Sequence, residues 1–180
     1  MTSKTLLTAD ELEKMPDDDS VQIELDEGEL ITMPPAGAEH GDSETNIIVI
    51  LGSYVKTHRL GRLYPGDTGF RLSPDIVRVP DVALVRQSRL PLVRRKGFID
   101  GPPDLAVEIF SPSNSVRQLM RKVKQYFAAG CHTVWIVYPE TQEVQALEAT
   151  GSDRLLTGDD ILEAPALLPG FSVRISEFFE

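Results

Sequence analysis

Hydrophobic and polar positions in the first third of the chain predict a helix, a hairpin and a second helix. Thr8 followed by Glu11 is a capping-box pattern, which predicts a short helix at this point. Alternating runs on either side of the turn residues 26–28 predict a β-hairpin. Between Thr45 and Gly61 the apolar residues recur at helical spacing, which predicts an amphipathic helix that ends at the glycine.

The middle of the chain is a series of short β-like segments with turn residues between them. Apolar runs within residues 62–72 and 76–85 predict strands, whereas residues 86–101 are irregular and basic. Residues 105–110, with the sequence LAVEIF, are apolar at both odd and even positions. This pattern predicts a central strand in a sheet that is covered on both faces.

The last third of the chain begins with another amphipathic helix, predicted from Ser115 to Ala129 and ended by Gly130. Its predicted core face consists of Val116, Leu119, Met120, Val123 and Phe127. Lys122 lies on one flank of that face, from which its side chain can reach inward. Further strands and a short closing helix follow. This order of elements predicts an α/β or α+β fold, with a mixed central β-sheet flanked by helices.

Composition narrows the class of protein. The chain has 180 residues, of which 41% are hydrophobic and 26% charged, and this suits one compact domain over residues 1–180. The sequence has neither an apolar run of about eighteen residues nor the apolar stretch of a signal peptide. We therefore expect a cytoplasmic protein with no membrane partner. The single cysteine, Cys131, is expected to be a small core residue rather than a nucleophile.

The net charge of −10 argues by itself against a nucleic-acid partner. However, nine basic residues oppose three acids between Arg86 and Gln125, so this segment carries +6 and the remainder −16. The basic residues either form solvated surfaces, as charge runs usually do, or face a cleft that binds an anion. Both interpretations remain open, although the basic residues flank Glu108.

Two carboxylates stand where buried strands are predicted: Asp81, which follows a proline, and Glu108, which lies between Val107 and Ile109. A buried acid needs a cation, a hydrogen-bonding partner or access to solvent. Two carboxylates on neighbouring strands, with a lysine such as Lys122 nearby, suit metal-assisted hydrolysis of a phosphodiester. The structural alternatives are an acid at the start of a strand for Asp81, an ion pair for Glu108 and a solvent-facing Lys122.

Several motifs, in order along almost the whole chain, resemble those of one bacterial family. They are IELDEGEL, AEHG, DTGFRL, RVPDVALV, PDLAVEIFSPS, RKVKQYFAAG, VWIVYPE and LPGF. The chain is similar to the Uma-two family of restriction endonucleases, a branch of the PD-(D/E)XK nuclease superfamily. The resemblance implies a restriction-endonuclease-like fold with a metal site at the strand ends. Asp81 corresponds to the "PD" aspartate and Glu108 to the acid of the "(D/E)XK" element.

The sequence departs from the superfamily pattern in one respect. The superfamily lysine lies two residues after the acid, where this chain has Phe110. The resemblance implies that Lys122 in the following helix takes its role. Family members commonly have acids at positions 114 and 118, where this chain has Asn114 and Gln118.

Other candidate residues fall within the matching motifs. Glu24 is either a third acid near the metal or an outward-facing strand residue. His40 either contacts the phosphate or the attacking water, or is a hydrogen-bonded structural histidine. On the helix that carries Lys122, the candidate substrate-binding residues are Gln118, Arg121 and Tyr126.

We therefore expect a DNA endonuclease that depends on Mg²⁺ or Mn²⁺. The expected metal ligands are Asp81 and Glu108, and the expected catalytic residues are Asp81, Glu108, Lys122, Glu24 and His40. One alternative is a nuclease-fold module that binds DNA or protein with weak or no turnover. Another is a structural interaction protein, for which the basic residues would be dispersed in space. A homodimer is expected, because two sites most simply cut two strands.

Overall fold

The computed structural model describes residues 6–16, 21–111 and 115–180, and within them the elements follow the predicted order. The helices are α1 (Ala9–Leu12), α2 (Ala38–Thr57) and α3 (Val116–Ala129), with two short 3-10 helices at Gln87–Leu92 and Ile175–Phe178. The capping box at Thr8 is present at the start of α1, as predicted. No helix in the described part of the chain is long and apolar enough to span a bilayer.

A six-stranded sheet forms the centre of the molecule. Its strands, from one edge to the other, are β11 (Asp153–Thr157), β10 (Glu143–Glu148), β9 (Thr133–Tyr138), β8 (Leu105–Ile109), β6 (Val82–Arg86) and β3 (Gly61–Pro65). The sheet is mixed, because β8 runs parallel to β9 and antiparallel to β6. All five residues of β8 are buried. The predicted central, covered strand is therefore confirmed.

The remaining strands form two smaller sheets. The five-stranded sheet has the order β2 (Glu29–Met33), β1 (Gln22–Asp26), β5 (Ile76–Arg78), β4 (Phe70–Ser73) and β7 (Ile99–Asp100), and the two-stranded sheet pairs β12 (Ile161–Ala164) with β13 (Leu168–Arg174). The α+β class is confirmed. Strand pattern alone did not reveal that the strands divide over three sheets, because strand partners depend on contacts that are distant in sequence.

Helices α2 and α3 pack on opposite faces of the six-stranded sheet. The apolar face of α2 shares a core with the odd-numbered residues of β8, whereas α3 packs with the even-numbered Ala106. Successive side chains of a strand point to opposite faces, so Glu108 faces α3 together with Ala106. Because of this alternation, the side chain of Glu108 lies on the side of the sheet where the helix with Lys122 packs.

Three local predictions were wrong. Helix α2 starts at Ala38 and ends at Thr57, and Gly61 instead begins β3. The glycine is needed there for close strand pairing, because a Cβ would collide with the carbonyl oxygen of Val85. On α3, Val116 is 62% exposed and Tyr126 takes a place in the core. The basic stretch 86–101 also contains regular structure, a 3-10 helix and the short β7.

The single cysteine lies in the core beside α3. Cys131 is 1% exposed, and burial raises the pKa of its thiol to about 12. A thiol with such a pKa remains protonated at neutral pH and is a poor nucleophile. The prediction of a small core residue is therefore confirmed.

Candidate active site

Two adjacent strands place Asp81 and Glu108 side by side. The antiparallel register pairs Val82 with Val107, so Asp81, one residue earlier, stands opposite Glu108, one residue later. The contact is visible in the backbone, where the Ile109 N–H donates a hydrogen bond of 2.6 Å to Asp81 Oδ2. The two acids that are separated by 27 positions in sequence thus share one end of the β6–β8 pair.

Glu108 is held by two side chains of α3. Lys122 Nζ donates to Glu108 Oε2 at 2.8 Å, and the Tyr126 hydroxyl donates to Oε1 at 2.6 Å. Residues four apart lie on the same face of a helix, so the Lys-x-x-x-Tyr spacing aims both donors at one carboxylate. Glu108 is only 5% exposed, and both of its oxygens have a partner.

Asp81 is held by the first turn of α2. His40 Nε2 lies 3.1 Å from Asp81 Oδ1, and the side chains are 15% and 17% exposed. The hydrogen bond to Asp81 raises the pKa of His40, with burial acting in the opposite direction. Together with the bond from the Ile109 N–H, this contact gives each oxygen of Asp81 a partner, one on β8 and one on α2.

Glu24 in β1 holds the other side of Lys122. Its side chain is 1% exposed, and Oε1 lies 2.9 Å from Lys122 Nζ. The same oxygen accepts the Val79 N–H at 2.9 Å, while Oε2 lies 2.8 Å from a guanidinium nitrogen of Arg78. Lys122 therefore bridges two buried carboxylates, Glu24 and Glu108.

Arg78 was not among the residues predicted from the sequence. It is 3% exposed and also contacts Asp26 at 2.9 Å and Gln125 at 2.8 Å. Burial lowers the pKa of Arg78, but the charges of Glu24 and Asp26 outweigh burial and raise it. A signal was available, because Arg78 interrupts an apolar run as Glu108 does, and a buried charge needs partners.

The charges at this end of the sheet do not balance. Burial raises the pKa of Glu108 to about 7; Lys122 opposes this rise, while Asp81 and Glu24 add to it. Burial lowers the pKa of Lys122, but the carboxylates of Glu108, Glu24 and Asp81 outweigh that effect and raise it. Lys122 is therefore a fixed cation, and the acids around it repel one another.

A further acid, Glu44, was also missed by the sequence interpretation. It lies one turn after His40 on α2, and its Oε1 accepts the Gly66 N–H at 3.3 Å. Burial raises the pKa of Glu44, and the charge of Asp81 raises it further. The signal was the spacing of four residues from His40, which places both side chains on one face of the helix.

Several of the side chains described above, but not Glu24 or Arg78, line one cavity of about 860 Å³. Its polar wall includes His40, Glu44, Asp81, Glu108 and Lys122. Its apolar wall includes Leu12, Met15, Val21, Ile23, Met33, Pro35 and Phe98. The cavity thus joins a cluster of acids to an apolar surface.

Asp81 and Glu108 fit a hard divalent cation. Within residues 6–16, 21–111 and 115–180, no group of three or more His, Cys, Asp or Glu side chains could hold a metal ion. Mg²⁺, however, is commonly bound by one or two carboxylates and keeps several waters. The mutual repulsion of the acids is the electrostatic environment that a divalent cation relieves.

Comparison with known proteins identifies the family. A family model named Uma2, described as "Putative restriction endonuclease", matches residues 9–176. The chain belongs to this family. A crystal structure described as a putative nuclease from Anabaena variabilis has a TM-score of 0.82 and 23% sequence identity, and the match covers 96% of this chain and 97% of that one. This likeness shows the fold, and no curated protein matches the sequence.

The three positions that were singled out in the sequence as departures lie in different surroundings. The ring of Phe110 packs against Tyr138, with ring centroids 5.6 Å apart. Gln118 is exposed on α3. Asn114 lies outside the described residues.

The candidate substrate-binding residues do not share one surface. Gln118 is exposed, Tyr126 is fully buried, and Arg121 pairs with Asp26 at 3.0 Å and Glu27 at 2.9 Å. Their contact with a substrate stays a prediction, as do the catalytic roles of Glu24 and His40.

Proposed function

We propose that this Uma2 chain is an endonuclease that hydrolyses DNA phosphodiester bonds and depends on Mg²⁺ or Mn²⁺. The observation that carries the proposal is the pair of carboxylates Asp81 and Glu108, opposite each other on adjacent strands and open to one cavity with Lys122. Structural ion pairs alone do not require two acids to face each other in this way. Membership of a family described as restriction endonucleases supports the same reaction class.

Asp81 and Glu108 would hold the cation. When bound, it would polarise a phosphoryl oxygen and lower the pKa of a bound water, which makes a nucleophile available near neutral pH. Burial raises the pKa of Glu108 to about 7, so a cation at this position would favour its charged form.

Lys122 serves as a cation rather than as a base in this proposal. Its raised pKa keeps the ammonium protonated at neutral pH, so it cannot accept a proton from water. A fixed positive charge beside the carboxylates can stabilise the extra negative charge of the phosphorane-like transition state. Glu24 fixes the ammonium in place, because it contacts Nζ at 2.9 Å from the side opposite Glu108.

His40 positions Asp81. Its Nε2 lies 3.1 Å from Asp81 Oδ1, which leaves the carboxylate directed at the cavity. Removing the imidazole would free Asp81 to rotate, and small errors in the orientation of a catalytic group are costly to rate.

The proposal is tested by a plasmid-nicking assay in the presence of Mg²⁺ or Mn²⁺. We expect wild type to convert supercoiled plasmid to the nicked form, and Asp81→Asn to lose this activity while its circular dichroism spectrum stays native. Asp159→Asn is the matched control, since Asp159 is 92% exposed, lies in the turn between β11 and β12 and does not line the cavity. Activity that survives in Asp81→Asn, or that persists in EDTA, would contradict the proposal.

A second candidate function is a nuclease-fold module that binds DNA or protein with weak or no turnover. It is favoured by the exposed Gln118 at a position where family members often carry an acid, and by the absence, among the described residues, of a group of three or more His, Cys, Asp or Glu side chains that could hold a metal ion. This candidate predicts DNA binding that is indifferent to divalent cations. Nicking that requires Mn²⁺ would exclude it.

The proposed reaction implies DNA as the partner and the cytoplasm as its location. We further propose a homodimer, because a two-fold pair of sites can cut both strands of a duplex. Analytical ultracentrifugation at micromolar concentration tests this assembly. A monomer that nicks only one strand per encounter would contradict it.

A further inference from the structure

We propose that the cavity binds a nucleotide whose base is unpaired, so that single-stranded or locally unwound DNA is the preferred substrate rather than intact duplex. The inference rests on the proposed nuclease function and names the substrate class of the same site. In this arrangement the scissile phosphate lies at the acids, and the base of a neighbouring nucleotide lies against the apolar wall of the cavity.

One part of the cavity lining is apolar. It is built by α1, by β1, by the end of β2 and by Phe98, all within the same cavity as Asp81 and Glu108. Met15 is 40% exposed, and Pro34 and Pro35 are also exposed. Unpaired bases are commonly bound by stacking on aromatic and apolar side chains.

Phe98 is a fixed ring in this wall. Its backbone N–H donates to Glu13 Oε1 at 2.8 Å. Gly69 lies so close to the ring that a Cβ there would come within 2.5 Å of Phe98 Cδ1. The glycine therefore packs closely against the Cδ1 and Cε1 atoms of the ring, and this contact helps to hold the ring in position before any ligand binds.

The cavity has little positive charge to offer to phosphates. Among the described residues that line it, the basic side chains are Lys122 and His40. Lys122 is held by Glu24 and Glu108, and His40 is held by Asp81. Binding of a nucleotide here must therefore use its base as well as its phosphate.

Several arginines of the basic segment outside the cavity also pair with acids of this chain. Arg86 and Arg89 pair with Asp104, and Arg94 pairs with Glu13. Affinity for duplex DNA rises with the number of phosphates that are neutralised, and a chain of net charge −10 with paired arginines neutralises few. Single strands have a lower charge density and gain affinity from stacking.

The size of the cavity agrees with one nucleotide. Pockets for small organic ligands measure about 300–1,000 Å³, and this cavity measures about 860 Å³. Two exposed basic residues, Arg95 and Lys96, precede Phe98 in the chain. They can contact the backbone of a strand that passes the mouth of the cavity.

The test compares binding of a fluorescein-labelled oligonucleotide, single-stranded or annealed to its complement, by fluorescence anisotropy with Ca²⁺ in place of Mg²⁺. We expect wild type to bind the single strand at least about tenfold more tightly than the duplex. Phe98→Ala should remove most of that difference, while Phe98→Tyr should retain it. Met15→Glu, at an exposed wall position, provides a second variant in case Phe98→Ala unfolds.

Leu155→Ala is the control, since Leu155 is 59% exposed on β11 and does not line the cavity. It should leave the preference unchanged. Equal or tighter binding of the duplex by wild type, or a preference unaffected by both wall variants, would overturn the inference. If wild type nicks plasmid but shows no preference for single strands, the inference fails and the nuclease proposal stands. If single strands bind in a way that depends on Phe98 or Met15 but no DNA is cleaved, only the nuclease proposal is refuted.

Discussion

Asp104 and Glu108 are buried acids at opposite ends of the same strand, and their surroundings differ in charge. Asp104 is 3% exposed and Glu108 is 5% exposed. Asp104 accepts hydrogen bonds from Arg86 Nε at 2.8 Å and the Arg86 N–H at 2.9 Å, and from Arg89 at 3.1 Å. One carboxylate there meets two guanidinium groups.

At Glu108 the balance is reversed. The ammonium of Lys122 is shared with Glu24, and Asp81 adds another carboxylate to the same cavity. Burial and these acids raise the pKa of Glu108 to about 7. Burial therefore does not distinguish a structural acid from a candidate catalytic one in this chain. What distinguishes the two acids is the number of cations that contact each carboxylate.

The largest expected effect is a difference in nicking rate between variants of Glu108 and of Asp104. Glu108→Gln should lower the rate of Mn²⁺-dependent nicking by more than about 100-fold, because it removes one of the two carboxylates that would hold the cation. Asp104→Asn should leave the rate nearly unchanged at a temperature where the variant is folded. Initial rates on supercoiled plasmid measure both. Similar losses in the two variants would abolish the distinction.

A smaller but substantial effect is expected at Arg78. Arg78→Gln removes the buried guanidinium that Glu24 and Asp26 share and should lower the free energy of unfolding by about 3 kcal/mol. It should also lower kcat by about tenfold with little change in KM, because Lys122 is then drawn toward Glu24. Arg174→Gln is the matched control, since Arg174 pairs with acids but is 53% exposed. Urea denaturation and nicking kinetics give the two readouts, and an unchanged kcat would remove Arg78 from the site.

The same comparison predicts stability effects of different size for the two acids. Asp104→Asn should lower the free energy of unfolding by about 2 kcal/mol, because two arginines lose their acceptor. Glu108→Gln should change it by less than about 1 kcal/mol, since Lys122 keeps Glu24 and the Tyr126 hydroxyl keeps an acceptor oxygen. Urea denaturation at neutral pH checks both values. A larger loss for Glu108→Gln would show that its ion pair is mainly structural.

The smallest effect is a dependence of stability on pH. The pKa of Glu108 rises on folding from 4.5 to about 7, so its contribution is fully present below pH 4.5 and is lost as the pH rises through about 7. His40, whose pKa is also raised, loses its contribution in the same direction above pH 6.5. Wild type should therefore lose stability between about pH 5 and about pH 8.

Glu108→Gln should show a shallower decline over the same range, while Asp104→Asn should keep the wild-type slope. Thermal melts at matched ionic strength check the slopes. An equal slope for wild type and Glu108→Gln would contradict the assigned pKa of Glu108.

Much of the fold was predictable because local patterns agree with it. Three sequence patterns predicted the local structure that the protein adopts: the capping box at Thr8, the hairpin turn at residues 26–28, and the apolar residues on both faces of β8. Gly61 was misread because a glycine that permits close strand pairing has the same local appearance as one that ends a helix. The division of the strands over three sheets depends on distant partners that local patterns do not encode.

The site was partly predictable for the same reason. Asp81 and Glu108 were found because each interrupts an apolar run, and Lys122 because it flanks the core face of its helix. Arg78 and Glu44 were missed, although Arg78 also interrupts an apolar run. Their importance depends on which side chains meet across β1, β5 and α2, and this becomes visible only when the distances are known.

Calorimetric titration of Mn²⁺ tests whether the excess of acids at one end of β8 forms a divalent-cation site. Wild type and Asp104→Asn should bind Mn²⁺ with similar affinity, whereas Glu108→Gln should bind it at least about tenfold more weakly or not at all. Folded wild type that binds no Mn²⁺, or Glu108→Gln that binds it as tightly as wild type, would contradict the account.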